Sequence, residues 1–176
     1  MVVGATLGIL VTALTCRALG GPGTSWPWLI APMGASAVLV FAMPSSPLAQ
    51  PWAVLGGNTV SALVGIACVH GIGHSEWAAA LAVGLAIGLM FALRCLHPPG
   101  GATALLVALN GVSDLHFAMA PVFVNSLLLV AAGMAYNHAT RRAYPHMQWS
   151  ARADQARDHE TDAVDADLDK VLARHN

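Results

Sequence analysis

Residues 117–138 read FAMAPVFVNSLLLVAAGMAYNH and contain no charged side chain. An α-helix rises about 1.5 Å per residue, so a run of this length makes about 33 Å of helix. The hydrocarbon core of a bilayer is about 30 Å thick, and a helix crosses it because it satisfies its own backbone hydrogen bonds. This stretch therefore predicts a transmembrane helix.

The charged residues of the whole chain agree with a membrane location. Of the 8 Lys and Arg, six lie from Arg141 onward, and of the 9 Asp and Glu, seven lie from Asp154 onward. The first 140 residues therefore hold only four charged side chains. These cannot cover the surface of a soluble domain, and they form no basic face for phosphates. The composition excludes a soluble enzyme and a nucleic-acid-binding protein, and predicts a transmembrane domain over residues 1–144 with a polar tail over 145–176. The four charged residues before position 141 are Arg17, Glu76, Arg94 and Asp114.

Six apolar segments can be marked along the membrane domain. The first, third, fourth and sixth are long enough to span, whereas the second and fifth are short; the fifth gives only about 20 Å of helix. We therefore predict an all-α integral membrane protein with six transmembrane segments, of which segments two and five are short, broken helices. The segments are 2–19, 29–43, 52–69, 77–93, 99–111 and 117–138.

The chain also contains an internal repeat. A shift of 67 positions aligns residues 32–58 with 99–125 without a gap, and ten of the 27 positions are identical. Pro, Gly and Asn identities carry the argument, since Ala, Leu and Val match by chance in an apolar chain. With halves at about 1–73 and 74–140, each half crosses three times, which predicts inverted repeats like those of many secondary transporters. Re-entrant short segments would instead make the repeats parallel.

Both short segments begin with proline, glycine, a small residue and a hydroxyl. Proline suits the start of a helix, where the first N–H groups are unpaired and the helix dipole is positive. Two such ends predict a binding site for a small anion that needs no Lys or Arg; close helix packing by small residues is the alternative. The predicted anion-binding residues are Gly34, Ala35, Ser36, Gly100, Gly101, Ala102 and Thr103, with Asn58 and Asn125 as further donors or as helix-to-helix hydrogen bonds.

Three ionisable residues complete the predicted site. Arg17 and Arg94 are assigned to steering anions at opposite mouths, with contact to lipid headgroups as the alternative. His97 is assigned to gating or proton coupling, with a structural hydrogen bond as the alternative. The three cysteines show no zinc spacing, and the glycines between His70 and His74 indicate a turn. We predict no catalytic residue, no metal and no cofactor.

Residues 96–106, LHPPGGATALL, resemble the signature of the HPP family of integral membrane proteins. The run 34–39 and the loop 44–51, followed by Gly57 and Asn58, resemble the family too, and the resemblance covers residues 1–145. It implies a bacterial or plastid-type membrane protein of a family whose members are linked to nitrite transport. The family is usually described with about four transmembrane helices. Residues 167–172 resemble the segment leading into the CBS domains of many bacterial relatives.

We predict a transporter or channel for a small monovalent anion, nitrite first, and no enzyme. The alternatives are a non-transporting scaffold or sensor that signals through its C-terminal tail and, more weakly, an intramembrane hydrolase with Ser36 or Thr103 as nucleophile and His97 as base. The expected partners are the anion and membrane lipid, with no nucleic acid and with self-association left open.

Arg141 and Arg142 follow the last segment and predict an inner-membrane protein with a cytoplasmic C-terminus. In the tail, Thr161 or Asp162 is expected to cap a short amphipathic helix. Its apolar positions are Val164, Leu168, Val171 and Leu172.

Overall fold

A computed structural model describes residues 1–20 and 27–146, so the amphipathic helix expected in the tail lies outside the described residues. Within that part of the chain the regular secondary structure is all helical and includes six α-helices, as predicted. A π-helical turn, Ala118–Phe123, leads into the last of them. The helices are α1 (Val2–Gly20), α2 (Pro32–Ala42), α3 (Pro51–Ile72), α4 (Glu76–Ala92), α5 (Pro98–Leu109) and α6 (Val124–Ala139).

Local sequence fixes the helix ends. Proline stands in the first turn of α2, α3 and α5, where a missing N–H costs nothing. Ser75 caps α4 by accepting a hydrogen bond from the Ala78 N–H at 3.3 Å. Gly73 ends α3 with a φ of 76°, a conformation that glycine adopts without steric cost. Pro121 interrupts the helical hydrogen bonding and accounts for the wide turn before α6.

Within residues 1–20 and 27–146, three helical stretches are long and apolar enough to cross a membrane: Val2–Gly20, Pro51–Ile72 and Ala118–Ala139. The fourth predicted span, α4, has 17 residues and makes about 26 Å of helix, the lower limit of what a bilayer requires. The short helices α2 and α5 have 11 and 12 residues and reach only about 17 and 18 Å.

The helices pack in a pattern that is unchanged when the two halves are exchanged. Helix α1 packs against α2 and α6, and its counterpart α4 packs against α5 and α3. Likewise α3 packs against α5, as α6 packs against α2. Exchanging α1 with α4, α2 with α5 and α3 with α6 therefore reproduces the main contacts. This is the arrangement that two structural repeats produce.

Hydrogen bonds between segments show which helix ends lie together. At one end, here called the terminal end, Arg142 donates to the Phe41 carbonyl and Trp52 to the Leu93 carbonyl. At the opposite end, here called the far end, the ring nitrogen of His70 lies 2.7 Å from the Ser113 carbonyl oxygen. Successive helices run alternately between the two ends, so corresponding helices of the two halves run in opposite directions.

Apolar packing surrounds the middle of the molecule. One core holds large side chains, among them Met33, Phe41 and Ile66. A second core, between α3, α4 and α5, consists largely of alanine, which lets those helices approach closely. Large apolar side chains also cover the outside; Val2 is 80% exposed and Trp77 77% exposed. An exterior of this kind suits lipid rather than water.

Candidate functional site: a buried polar cluster

Five polar side chains meet in the interior between α2, α3, α5 and α6. They are Ser36, Asn58, His97, Thr103 and Ser126, here called the polar cluster, and each is 0% exposed. Burying a polar group costs free energy unless it is hydrogen-bonded, and ionisable or amide side chains inside a membrane protein generally mark a functional site. This cluster is therefore the candidate site.

The hydrogen bonds of His97 define the state of its ring. Its Nδ1 lies 2.8 Å from the carbonyl oxygen of Leu48, which can only accept, so Nδ1 carries the proton. In the neutral ring Nε2 is then an acceptor, and it lies 2.8 Å from the Ser36 hydroxyl oxygen. The Ser36 hydroxyl therefore donates its hydrogen to His97.

Asn58 joins the rest of the cluster. Its Nδ2 group donates to Ser36 Oγ at 3.4 Å and to Ser126 Oγ at 3.3 Å. Its Oδ1 atom accepts from the Thr103 hydroxyl at 2.9 Å. Both amide hydrogens of Asn58 and the hydroxyl hydrogens of Ser36 and Thr103 are thus engaged within the protein.

Glycines bring α3 close enough to α5 to form the cluster. A Cβ atom on Gly57 would lie 2.6 Å from His97 Cβ and 2.8 Å from the Cys95 carbonyl oxygen. A Cβ atom on Gly100 would lie 2.7 Å from Ser61 Oγ and 2.9 Å from the Gly57 carbonyl oxygen. Any side chain at either position would push His97 and Thr103 away from Asn58.

The predicted anion-binding residues at the starts of α2 and α5 lie in two different environments. Ser36 and Thr103 face the cluster, but Gly34, Ala35 and Ala102 are exposed, and Gly101 is half-buried. Ala35 and Ala102 line an open cavity of about 440 Å³ between α2 and α5.

Two backbone N–H groups of the predicted cradle are engaged locally. The Gly34 N–H donates to the Ala31 carbonyl at 3.1 Å, and the Gly100 N–H donates to the His97 carbonyl at 2.8 Å. From the predicted set, the structure brings the side chains of Ser36, Asn58, His97 and Thr103 together.

Asn125 matches Asn58 in the repeat but is not brought into the cluster. Its Oδ1 accepts from the Ile30 N–H at 3.0 Å, and its Nδ2 lies 3.0 Å from Cys16 Sγ and 3.4 Å from the Trp28 carbonyl oxygen. Asn125 thus fastens the segment before α2 to α6. Its neighbour Ser126 is the cluster residue that the sequence reasoning missed. Extending the repeat alignment by one position, which pairs Thr59 with Ser126, would have found that hydroxyl.

The two arginines lie outside the cluster. Arg17 is exposed in the last turn of α1, at the far end, and Arg94 is exposed between α4 and α5, at the terminal end. They stand at opposite ends of the molecule, as a steering role requires. Among the described residues, no group of three or more His, Cys, Asp or Glu side chains is placed to hold a metal ion.

The chain is similar in sequence to known transmembrane proteins. The family model described as "HPP, transmembrane region" matches residues 1–145. Two transmembrane proteins of Dictyostelium discoideum are similar to the chain. One is 40% identical over 130 residues, which cover 69% of this chain and 45% of that protein. The other is 41% identical over 130 residues, covering 69% and 42%. The chain spans less than half the length of these relatives. No solved structure matches it.

Proposed function

The chain belongs to the HPP family of transmembrane proteins, and we propose that it transports a small monovalent anion across the membrane, with nitrite as the first candidate. One observation carries the proposal: five fully buried polar side chains form a connected hydrogen-bonded cluster at the beginnings of two short helices. Short helices at corresponding positions of two repeats are where secondary transporters place their substrate sites. Nitrite is chosen because residues 96–106 resemble family members linked to nitrite transport.

The chemistry of the cluster suits an anion that must also leave. Hydroxyl and amide groups donate hydrogen bonds to an anion without holding it by a full positive charge. A permeating ion has to be bound weakly enough to be released on the other side. Ser36, Asn58 and Thr103 would supply such donors when their hydrogen bonds within the cluster open. Fixed cations would bind more tightly, and Arg17 and Arg94 are exposed instead of lying in the cluster.

The hydrogen atoms that the cluster can donate decide how it would accept an anion. With His97 neutral, the Ser36 hydroxyl donates to Nε2 and is not available to a ligand. Protonation of Nε2 turns an acceptor into a donor, adds a positive charge and releases the Ser36 hydroxyl to donate elsewhere. We therefore propose that the anion is bound together with a proton on His97.

The hydrogen-bond partners of the His97 imidazole do not themselves fix its charge state. The hydrogen-bond partners of the ring are the Ser36 hydroxyl and the Leu48 carbonyl, while Gly57 packs against His97 Cβ, and none of these titrates in water. The neighbouring Cys95 packs against Gly56, and Arg94 is exposed. Proton uptake is thus tied to Ser36 and to what the cluster binds.

Access to the cluster requires movement. All five cluster side chains are sealed from solvent, which corresponds to an occluded state. In transporters built from inverted repeats, one repeat rocks against the other around a fixed site. Ser36 and Asn58 belong to the first half and His97, Thr103 and Ser126 to the second, so such rocking would open the cluster itself. Arg17 and Arg94 would attract anions to the two openings.

The location is proposed on the basis of charge. Arg141 and Arg142 follow the last helix at the terminal end, and basic residues of this kind favour the cytoplasmic side. We therefore propose an inner membrane with both chain termini facing the cytoplasm.

The test is nitrite flux in proteoliposomes with the double variant Ser36→Ala/Thr103→Val. Each lost hydrogen bond to an anion is worth about 1.5–3 kcal/mol, so transport should fall at least about tenfold at low nitrite. The matched control is Ser45→Ala/Thr6→Val, which makes the same chemical changes at exposed positions. Both variants should insert as the wild type does. Unchanged flux in the cluster variant would rule out this site.

A second candidate, an intramembrane hydrolase, is favoured by the distance of 2.8 Å between Ser36 Oγ and His97 Nε2. That is the spacing of a nucleophile and its base. The group that orients His97 is a backbone carbonyl instead of the carboxylate of a catalytic triad. Labelling of Ser36 by a fluorophosphonate probe, lost in Ser36→Ala, would support the hydrolase; absence of labelling leaves transport as the better account.

A further inference from the structure

The loop that touches His97 is held in shape by its own side chains. In residues 44–50, here called the turn loop, Gln50 Nε2 donates to the carbonyls of Pro44 and Ser46, at 3.0 and 2.8 Å. The Ser46 hydroxyl oxygen accepts from the Leu48 N–H at 3.3 Å. These bonds close a tight turn over Pro47–Ala49, whose Leu48 carbonyl points at His97.

The chain that follows α6 is fastened to the same loop. The Tyr144 hydroxyl donates to the Ala49 carbonyl at 2.9 Å, and the His146 N–H donates to Gln50 Oε1 at 2.8 Å. Tyr144 and Gln50 are 8% and 9% exposed. Burial raises the pKa of Tyr144, so its hydroxyl keeps its proton and remains a donor at neutral pH. Residues 142–146, here called the strap, are thus hydrogen-bonded to the turn loop at Ala49 and Gln50.

The carbonyl groups of two consecutive residues, Leu48 and Ala49, therefore accept hydrogen bonds from two different parts of the chain. Leu48 accepts from the His97 ring in the interior, and Ala49 accepts from Tyr144 in the strap. We propose that Tyr144 and Gln50 are positioning residues for His97: by holding the turn loop, they keep the Leu48 carbonyl against Nδ1 and so fix the tautomer that accepts from Ser36.

Loss of the Leu48 carbonyl as a partner would change which nitrogen of His97 donates a hydrogen bond within the cluster. If the Leu48 carbonyl moves away, the proton on Nδ1 loses its partner, and the tautomer with the proton on Nε2 becomes competitive. That tautomer places a donor against the Ser36 hydroxyl, which must then turn. The segment after the last helix would in this way set the state of a side chain in the interior. Its effect on transport rests on the proposed function, but the tautomer does not.

The experiment is ¹⁵N NMR of the full chain, labelled at histidine and held in lipid nanodiscs. The signals of His97 among the eight histidines are identified by their loss in His97→Gln. The wild type should show His97 with the proton on Nδ1. Tyr144→Phe should lower the ratio of this tautomer to the other by about tenfold, the worth of one hydrogen bond.

The matched control is Tyr136→Phe, since the other tyrosine of the chain has its hydroxyl near the exposed amino group of Met1, away from the turn loop. It should leave the His97 signals unchanged. Gln50→Glu provides an independent variant, because it keeps the acceptor for His146 and removes the donors to Pro44 and Ser46. An unchanged His97 tautomer in both Tyr144→Phe and Gln50→Glu would overturn the proposal. Absence of nitrite flux in the wild type would contradict the proposed function and leave this result standing.

Discussion

His97 Nε2 lies 2.8 Å from Ser36 Oγ, although the two residues are 61 positions apart and belong to different halves of the repeat. The bond crosses the boundary along which inverted repeats move in transporters. A proton that arrives at His97 therefore changes both the binding chemistry of the cluster and a contact between the halves.

The first prediction concerns the pH dependence of transport. Protonated His97 adds a donor and a charge, so nitrite flux should rise as pH falls through the pKa of His97. In His97→Gln, which keeps polarity without titrating, this rise should be absent. Flux measured between about pH 4 and pH 8 checks it, with the exposed His138→Gln as control. A pH profile for His97→Gln that matches the wild type would exclude proton coupling at this residue.

The second prediction concerns the close approach of α3 and α5. Gly100→Ala should destabilise the protein by about 1–3 kcal/mol, because the new methyl group meets the Gly57 carbonyl and Ser61. Gly101→Ala, one residue later in the same turn, meets nothing within 4 Å and should be neutral or stabilising by up to about 1 kcal/mol. Unfolding in denaturant measures both. Equal stability of the two variants would show that the helices are not packed this tightly.

The third prediction separates the two matched asparagines. Asn58→Leu removes the hydrogen bonds to Ser36, Ser126 and Thr103, whereas Asn125→Leu leaves the Ile30 N–H unpaired. Each should cost stability, by about 1–3 kcal/mol for each group left unpaired. Only Asn58→Leu should abolish nitrite flux per folded molecule. A folded Asn125→Leu variant that loses flux equally would extend the site to the far end.

The fourth prediction tests the direction of the halves. Ser45 and Ser113 are exposed in connections at the terminal and far ends. In a cysteine-free background, a membrane-impermeant thiol reagent should modify Ser45→Cys from one side of sealed vesicles and Ser113→Cys from the other. The side that reaches Ser45→Cys should be cytoplasmic. Modification of both variants from the same side would contradict three passages per half.

Much of the fold was predictable because proline, glycine and charged residues bound the apolar runs. Pro32, Pro51 and Pro98 lie at helix starts, and each predicted segment overlaps one observed helix. The outward direction of Gly34 and Ala35 was not predictable, because lipid-facing and protein-facing surfaces of such helices are equally apolar.

The cluster was predictable where the repeat is regular. Ser36, Asn58, Thr103 and His97 were all named from sequence, but Leu48 was not, since it acts through its backbone carbonyl. Asn125 differs from Asn58 for a local reason. Ile30 occupies the position of the first half that aligns with His97, and its backbone N–H donates to Asn125 Oδ1, whereas Asn58 bonds to the side chains of Ser36, Ser126 and Thr103.

The decisive measurement is anion flux into proteoliposomes of the purified chain, with nitrite and a panel of competing anions at two pH values. We expect saturable nitrite flux that is faster at the lower pH. No flux for any anion, from protein shown to be folded, would contradict it and favour a non-transporting scaffold or sensor.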